Sequence, residues 1–305
     1  MSTLLAVVSI YIFIFLGYTA KKIFKDDIDE KTLILVSLYF LQPILTFWGL
    51  TRAPIDFNLI YTPFLYFIIV TISLVILFFV SKMIFDDEQD RSIFVASSLI
   101  GNTGNLGIPL GIALFGESSV PYTSIINIAN IFFIYTVGIY FFAKSQYSFQ
   151  DSLKQMIKIP ILWFAIVALV YNYYDLPIHS QMEQILQMGA YATIVLQLMI
   201  FGVYLAKTPI KTQNYKLSLN ISFSKLIFLP LIGVGVILFS DLPNDLASIL
   251  MVSLFVPLAV NNVNIASLYK CKPYDVTAAV LVSTLLFLFI AYINLEFIKD
   301  IFGAF

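Results

Sequence analysis

The sequence predicts an all-α polytopic membrane protein of ten transmembrane helices, arranged as two inverted five-helix repeats with interrupted helices four and nine whose broken ends meet near mid-membrane. Three observations lead there. Of 305 residues, 60% are apolar and 11% charged, whereas a soluble domain needs roughly 25% charged residues to cover its surface. Apolar runs long enough to cross a bilayer recur ten times along the chain. Two of those runs, at corresponding places in the two halves, are broken by Gly, Pro and Asn.

With a window of about 19 residues, the first five spans lie near Leu4 to Ala20, Thr32 to Leu50, Asn58 to Ser81, Ser92 to Phe115 and Pro121 to Ala143. The second five lie near Ile159 to Tyr174, Ile185 to Ala206, Leu217 to Phe239, Ala247 to Tyr269 and Val276 to Ile298. At 1.5 Å per residue such segments cross a hydrocarbon core of roughly 30 Å. The connections are short and polar, so no soluble catalytic or sensory domain has room.

The charges fix an orientation. Fourteen Lys and Arg residues, among them Lys21, Lys82, Arg91, Lys144, Lys158, Lys211, Lys216 and Lys272, fall in odd-numbered loops; only Arg52 and Lys299 fall on the other side. Positive residues stay inside, which puts the odd loops in the cytoplasm and both termini outside a plasma membrane. The first span carries Lys21 and Lys22 after it and no positive residue before it, the reverse of a signal peptide, so it reads as a retained helix.

The chain divides into residues 1–145, a cytoplasmic linker at 146–158, and residues 159–305. Five spans per half make the halves enter the membrane in opposite directions, so repeats between them are inverted, as in many secondary transporters. Span four contains Gly101-Asn102-Thr-Gly104-Asn105-Leu-Gly107-Ile-Pro109, and span nine contains Pro257-Leu-Ala-Val-Asn261-Asn262-Val-Asn264. Pro removes an amide donor and clashes with the preceding turn, while Gly and Asn tolerate unwound backbone. At membrane depth such backbone persists only when buried in protein or lining a wet cavity. A matched pair of interrupted spans is the sequence signature of a transport site.

The missing residues indicate the ligand's charge. Away from their terminal turns the spans hold no Asp, Glu or His, and Lys225 is their one strongly charged side chain. A cation would normally need a carboxylate; an anion can be held by amide donors and by helix N-termini, each worth about half a positive charge. Pro109 suits the first turn of a new half-helix capped by Asn105 or Gly107, and Asn262 or Asn264 suits a cap for the second half of span nine. Asn127 and Asn130, three apart, share a face of span five, turned either to the same cavity or to a neighbouring helix. Gln42-Pro43 in span two has two similar readings, an amide turned to the cavity or a kink with a satisfied amide. Lys225 either snorkels to the cytoplasmic face or acts inward as a counter-charge or proton-linked switch. His179, Cys271, Asp241 and Asp245 read as solvated loop residues, and the Phe and Tyr residues as lipid-facing and packing groups.

One Cys and one His leave no disulfide framework and no Cys/His metal site, and a net charge of -1 gives no reason to expect nucleic acid. An intramembrane enzyme would need an interior nucleophile with a base, for which only Lys225 is available. A receptor would need larger loops; a channel stays open as a reading.

The stretches Asn102-Thr-Gly-Asn-Leu-Gly-Ile-Pro109, Pro257 to Tyr269, Ala278-Ala-Val-Leu-Val-Ser-Thr284 and Leu38-Tyr-Phe-Leu-Gln-Pro43 resemble the auxin efflux carrier family. That family includes plant auxin exporters and bacterial malate or malonate permeases, and the short central loop is similar to the bacterial members. The resemblance implies spans one, two, six and seven as a scaffold that forms a homodimer, and spans three to five and eight to ten as a moving, elevator-type transport domain. It also implies that spans four and nine cross at mid-membrane and that a carboxylate substrate binds at the crossing. The expected function is therefore secondary transport of a small organic anion, auxin-like or dicarboxylate. Its expected contacts are Asn102, Gly104, Asn105, Pro109, Asn127, Asn130, Pro257, Asn261, Asn262 and Asn264, with Lys225 as counter-charge. No cofactor or structural metal is expected. Sodium or proton coupling stays open, because half-helix carbonyl ends suit sodium and Lys225 suits a proton.

Overall fold

The structure is a computed structural model that describes residues 2–143, 150, 154, 157–207 and 214–303. The linker at 146–158 lies largely, and Lys144 and Lys211 wholly, outside them. Helix α1 spans Ser2–Phe24, α2 Glu30–Leu50, α3 Phe57–Ile84, α4 Glu88–Leu99, α5 Thr103–Phe115 and α6 Glu117–Ala143. In the second half α7 spans Pro160–Tyr173, α8 Ser180–Lys207, α9 Tyr215–Leu238, α10 Asn244–Phe255, α11 Asn261–Leu268 and α12 Pro273–Phe302. Among the described residues no strand forms, and six helices (α2, α3, α6, α8, α9 and α12) are long and apolar enough to cross a membrane.

The loops start these helices with acids and amides. Asp56 accepts from the Leu59 N–H at 2.8 Å, Asp87 from the Asp90 N–H at 2.9 Å and Asn214 from the Leu217 N–H at 3.0 Å. Each satisfies a donor that the first helical turn leaves free. Proline then shapes the interiors. Pro43, Pro109 and Pro230 each follow by two residues a wider π-turn, at Ser37–Leu41, Thr103–Gly107 and Ser224–Phe228. The ring removes one donor and crowds the carbonyl four residues back, so the turn before it opens. Gln42-Pro43 thus produces a widened turn inside a continuous α2.

Packing is reciprocal between the halves. Helix α1 lies along α8 and α2 along α7, while α3 packs on α6 and α9 packs on α12. The α1–α8 approach is close enough that a Cβ on Gly17 would overlap the Met199 carbonyl and one on Gly202 the Ile14 carbonyl. Only glycine lets two backbones meet this way. On the side of the odd loops Lys272 Nζ bridges Asp87 at 2.9 Å and Asp90 at 2.6 Å, and Asn214 donates to Asp90 at 2.9 Å. This cluster ties α4 of the first half to the starts of α9 and α12. Cys271, expected in solvent, is buried beside it in sequence, because the turn between α11 and α12 folds back so that its N–H reaches the Ala266 carbonyl.

Candidate functional site

Spans four and nine break where they meet. The chain leaves α4 extended at Ile100 and leaves α10 extended at Val256, and the two unwound segments pair antiparallel about Gly101 and Leu258. The Asn102 N–H donates to the Pro257 carbonyl at 2.9 Å and the Ala259 N–H to the Ile100 carbonyl at 3.1 Å. Backbone freed by the breaks is thus satisfied by the opposite half, which water would otherwise have to do.

Side-chain amides complete the crossing. Asn262 donates to the carbonyls of Ile100 at 3.1 Å and Ala259 at 2.9 Å. Asn130 donates to the Gly101 carbonyl at 2.8 Å and to Thr103 Oγ1 at 2.9 Å, and accepts from the Tyr66 hydroxyl at 3.0 Å. Thr103 Oγ1 in turn donates to Asn127 Oδ1 at 2.9 Å. Tyr66 and Thr103 are therefore part of the site, although the sequence pattern singled out neither. Thr103 lies inside the broken run, whereas Tyr66 is one of 18 tyrosines and nothing in its local pattern marks it.

A cavity of about 100 Å³ opens at the crossing, lined by Gly101 and Asn102, by Gly104 and Asn105 of α5, by Asn127 and Asn130 of α6, by Asn261 of α11 and by Gln42 of α2. One water needs roughly 10–15 Å³ on this scale, so several waters or a small polar group fit. The lining continues through Ser37 and Ile34 of α2, Tyr135 of α6 and Ile159, toward the ends of α2 and α7 that adjoin the lysine-rich odd loops. Gly104 keeps the space open: a Cβ there would stand 3.0 Å from both Asn127 Oδ1 and Gln42 Nε2.

Two helices begin at this cavity. Helix α5 starts at Thr103 after Asn102, and α11 at Asn261 after Val260, neither with a side-chain cap. The expected caps are corrected here. Pro109 sits one turn inside α5, Asn105 and Gly107 lie within its opening π-turn, Asn262 donates to carbonyls instead of accepting, and Asn264 lies one turn into α11. The half-helix begins before Pro109 because the ring widens the preceding turn without ending it. The first amides of α5, at Thr103, Gly104 and Asn105, consequently have no partner within the helix. Asn102 Nδ2 is buried without a hydrogen-bond partner, as is Asn262 Oδ1.

Of the expected contacts, Asn102, Gly104, Asn105, Asn127, Asn130 and Asn261 meet in the cavity. The Asn130 amide is fully spent on holding the crossing. Pro257 and Asn262 build its far side, and Asn264 faces a separate groove with Tyr204 and Tyr274. Lys225 has not snorkelled: it is 1% exposed and donates to the Leu254 carbonyl at 2.9 Å, in the last turn of α10. Residues 2–294 match the family model for membrane transport proteins, nearly the whole chain.

The chain belongs to the membrane transport protein family, that of the auxin efflux carriers. No curated protein matches it. Membership makes it a multi-pass membrane transporter, in a family of transporters and not of enzymes, and its long apolar helices fit that assignment. In this membrane transport protein the two broken segments, together with α2 and α6, supply the polar lining of the cavity.

Proposed function

We propose that this membrane transport protein moves a small organic anion, auxin-like or a dicarboxylate, across the plasma membrane by alternating access of the elevator type. The observation that carries the reading is the buried, unpartnered Nδ2 of Asn102, a residue that lines the cavity between the N-termini of α5 and α11. A buried donor without an acceptor costs about 1–3 kcal/mol, and a carboxylate oxygen would remove that cost while meeting two positive helix ends. Asn105, Asn127 and Asn261 would supply the remaining donors.

The reciprocal packing of α1 on α8 and α2 on α7 supports a ten-span architecture of two inverted repeats. In it α1, α2, α7 and α8 form the scaffold and the other helices the mobile domain. Exposed Trp163, Phe164 and Val167 on α7 support pairing of two copies through that scaffold. With odd loops cytoplasmic and both termini outside, the cavity faces the cytoplasm.

Uptake of radiolabelled malate, malonate and aryl carboxylates into vesicles tests the reading. Uptake that Asn102→Ala and Asn105→Ala leave unchanged would remove the site assignment. Equal uptake of matched uncharged compounds would remove the anion assignment. Repeating the measurement with potassium replacing sodium, and across pH, separates uniport from sodium or proton coupling.

A further inference from the structure

The floor of the cavity is thin at one point. Gly101 lines the cavity on one side, and on the other the Lys225 ammonium packs against it: a Cβ built on Gly101 would stand 2.6 Å from Lys225 Nζ and 3.0 Å from its Cε. The π-turn at Ser224–Phe228 aims Lys225 inward from α9, and its amine holds the Leu254 carbonyl at 2.9 Å. Among the described residues no carboxylate pairs with it. In its protonated form this ammonium, enclosed in a low-dielectric interior without a counter-ion, projects its charge across one glycine into the cavity far more strongly than it would through water.

We propose that Lys225 is the residue that makes this cavity select anions, acting through Gly101 without touching the ligand. The inference rests on the anion reading above and assigns its charge selectivity to one side chain. Asn102 and the helix ends fix where a carboxylate binds; Lys225 sets how strongly its charge is preferred over a neutral group of the same shape. The same geometry explains the glycine, since any side chain at 101 would drive the ammonium away from the floor.

The test compares phenylacetate with phenylacetamide, nearly identical in shape and differing in charge, by calorimetry on the full chain in lipid nanodiscs. The wild type is expected to bind the carboxylate at least about tenfold more tightly than the amide, the scale of one unpaired charge at this depth. Lys225→Met is expected to abolish that preference while leaving phenylacetamide affinity unchanged, and Gly101→Ala to reduce it. A merely structural Lys225 would weaken both probes alike. An undiminished carboxylate preference in Lys225→Met overturns the proposal and leaves the anion reading standing. A wild type that shows no preference overturns it without any variant. Failure of the wild type to bind phenylacetate, benzoate or malonate overturns the anion reading and this assignment together.

Discussion

The Arg52 guanidinium and the Glu117 carboxylate stand 2.8 Å apart, joining the loop after α2 to the first residue of α6 on the face opposite the lysine-rich loops. Glu117 also accepts from the Gln187 amide at 3.1 Å and from the Tyr191 hydroxyl, both on α8. Arg52 reaches Glu183 at 3.5 Å and lies over the Trp48 ring at 4.6 Å. One carboxylate thus ties α6 to α8 and to the loop after α2. Both ion partners are about 30% exposed, so Glu117→Gln is expected to cost under about 1 kcal/mol of stability. Its larger effect is expected in motion: hydrogen exchange should rise at 117–120 and 187–191 and stay unchanged in α5.

Asn130 and Asn102 are expected to separate stability from binding. Asn130→Ala strands the Gly101 carbonyl and the Tyr66 hydroxyl, at about 1–3 kcal/mol for each group left buried and unpaired. Its melting temperature should fall by several degrees. Asn102→Ala removes a side-chain donor that has no partner, so its melting temperature should hold while carboxylate affinity drops about tenfold, the loss of one hydrogen bond to a charged group.

Gly17→Ala and Gly202→Ala each push a methyl group into the backbone carbonyl of the opposing helix. Backbone has no rotamer to escape into, so each variant is expected to lose about 1–3 kcal/mol or more. Size-exclusion profiles and thermal melts of the two variants check this. Gly235→Ala, where a Cβ meets nothing within 4 Å, is the neutral control.

The Lys272 ammonium, and after it the Asp90 N–H, hold the Asp87 carboxyl below the usual carboxylate range. A carboxyl lowered by folding contributes stability above its unfolded pKa of about 3.9, and that contribution is lost as pH falls through the folded value. Melting temperature is therefore expected to be flat from about pH 7 to pH 5 and to fall below about pH 4. Lys272→Met should lower the plateau and weaken the acid limb.

Much of this was legible in the chain. The breaks in spans four and nine were marked by Gly101 to Pro109 and by Pro257 to Asn264, because backbone chemistry is local and those residues declare it. The shared face of Asn127 and Asn130 followed from helical spacing alone. What spacing cannot show is which atom of an amide is already spent. The Asn130 amide is spent on the Gly101 carbonyl, Thr103 and Tyr66, the Asn262 amide nitrogen on the carbonyls of Ile100 and Ala259, and Asn264 faces a different groove, outcomes fixed mostly by contacts distant in sequence. Tyr66 and Glu117 escaped notice for the same reason, since each acts on a partner that no local pattern reveals. The exact start of α5 depended on how far Pro109 disturbs the turn before it.

The pairing of Gly101 with Leu258 also bears on how the chain is made. Spans four and nine must enter the bilayer as broken helices, and the first to be synthesised carries the Ile100 carbonyl and the Asn102 amide with no mate until the second arrives. An orphan peptide group in hydrocarbon costs several kcal/mol, so until then water or another partner must satisfy these groups. The second half brings the Pro257 carbonyl and the Ala259 amide that pair with them, so the floor of the cavity is complete only once both halves are made.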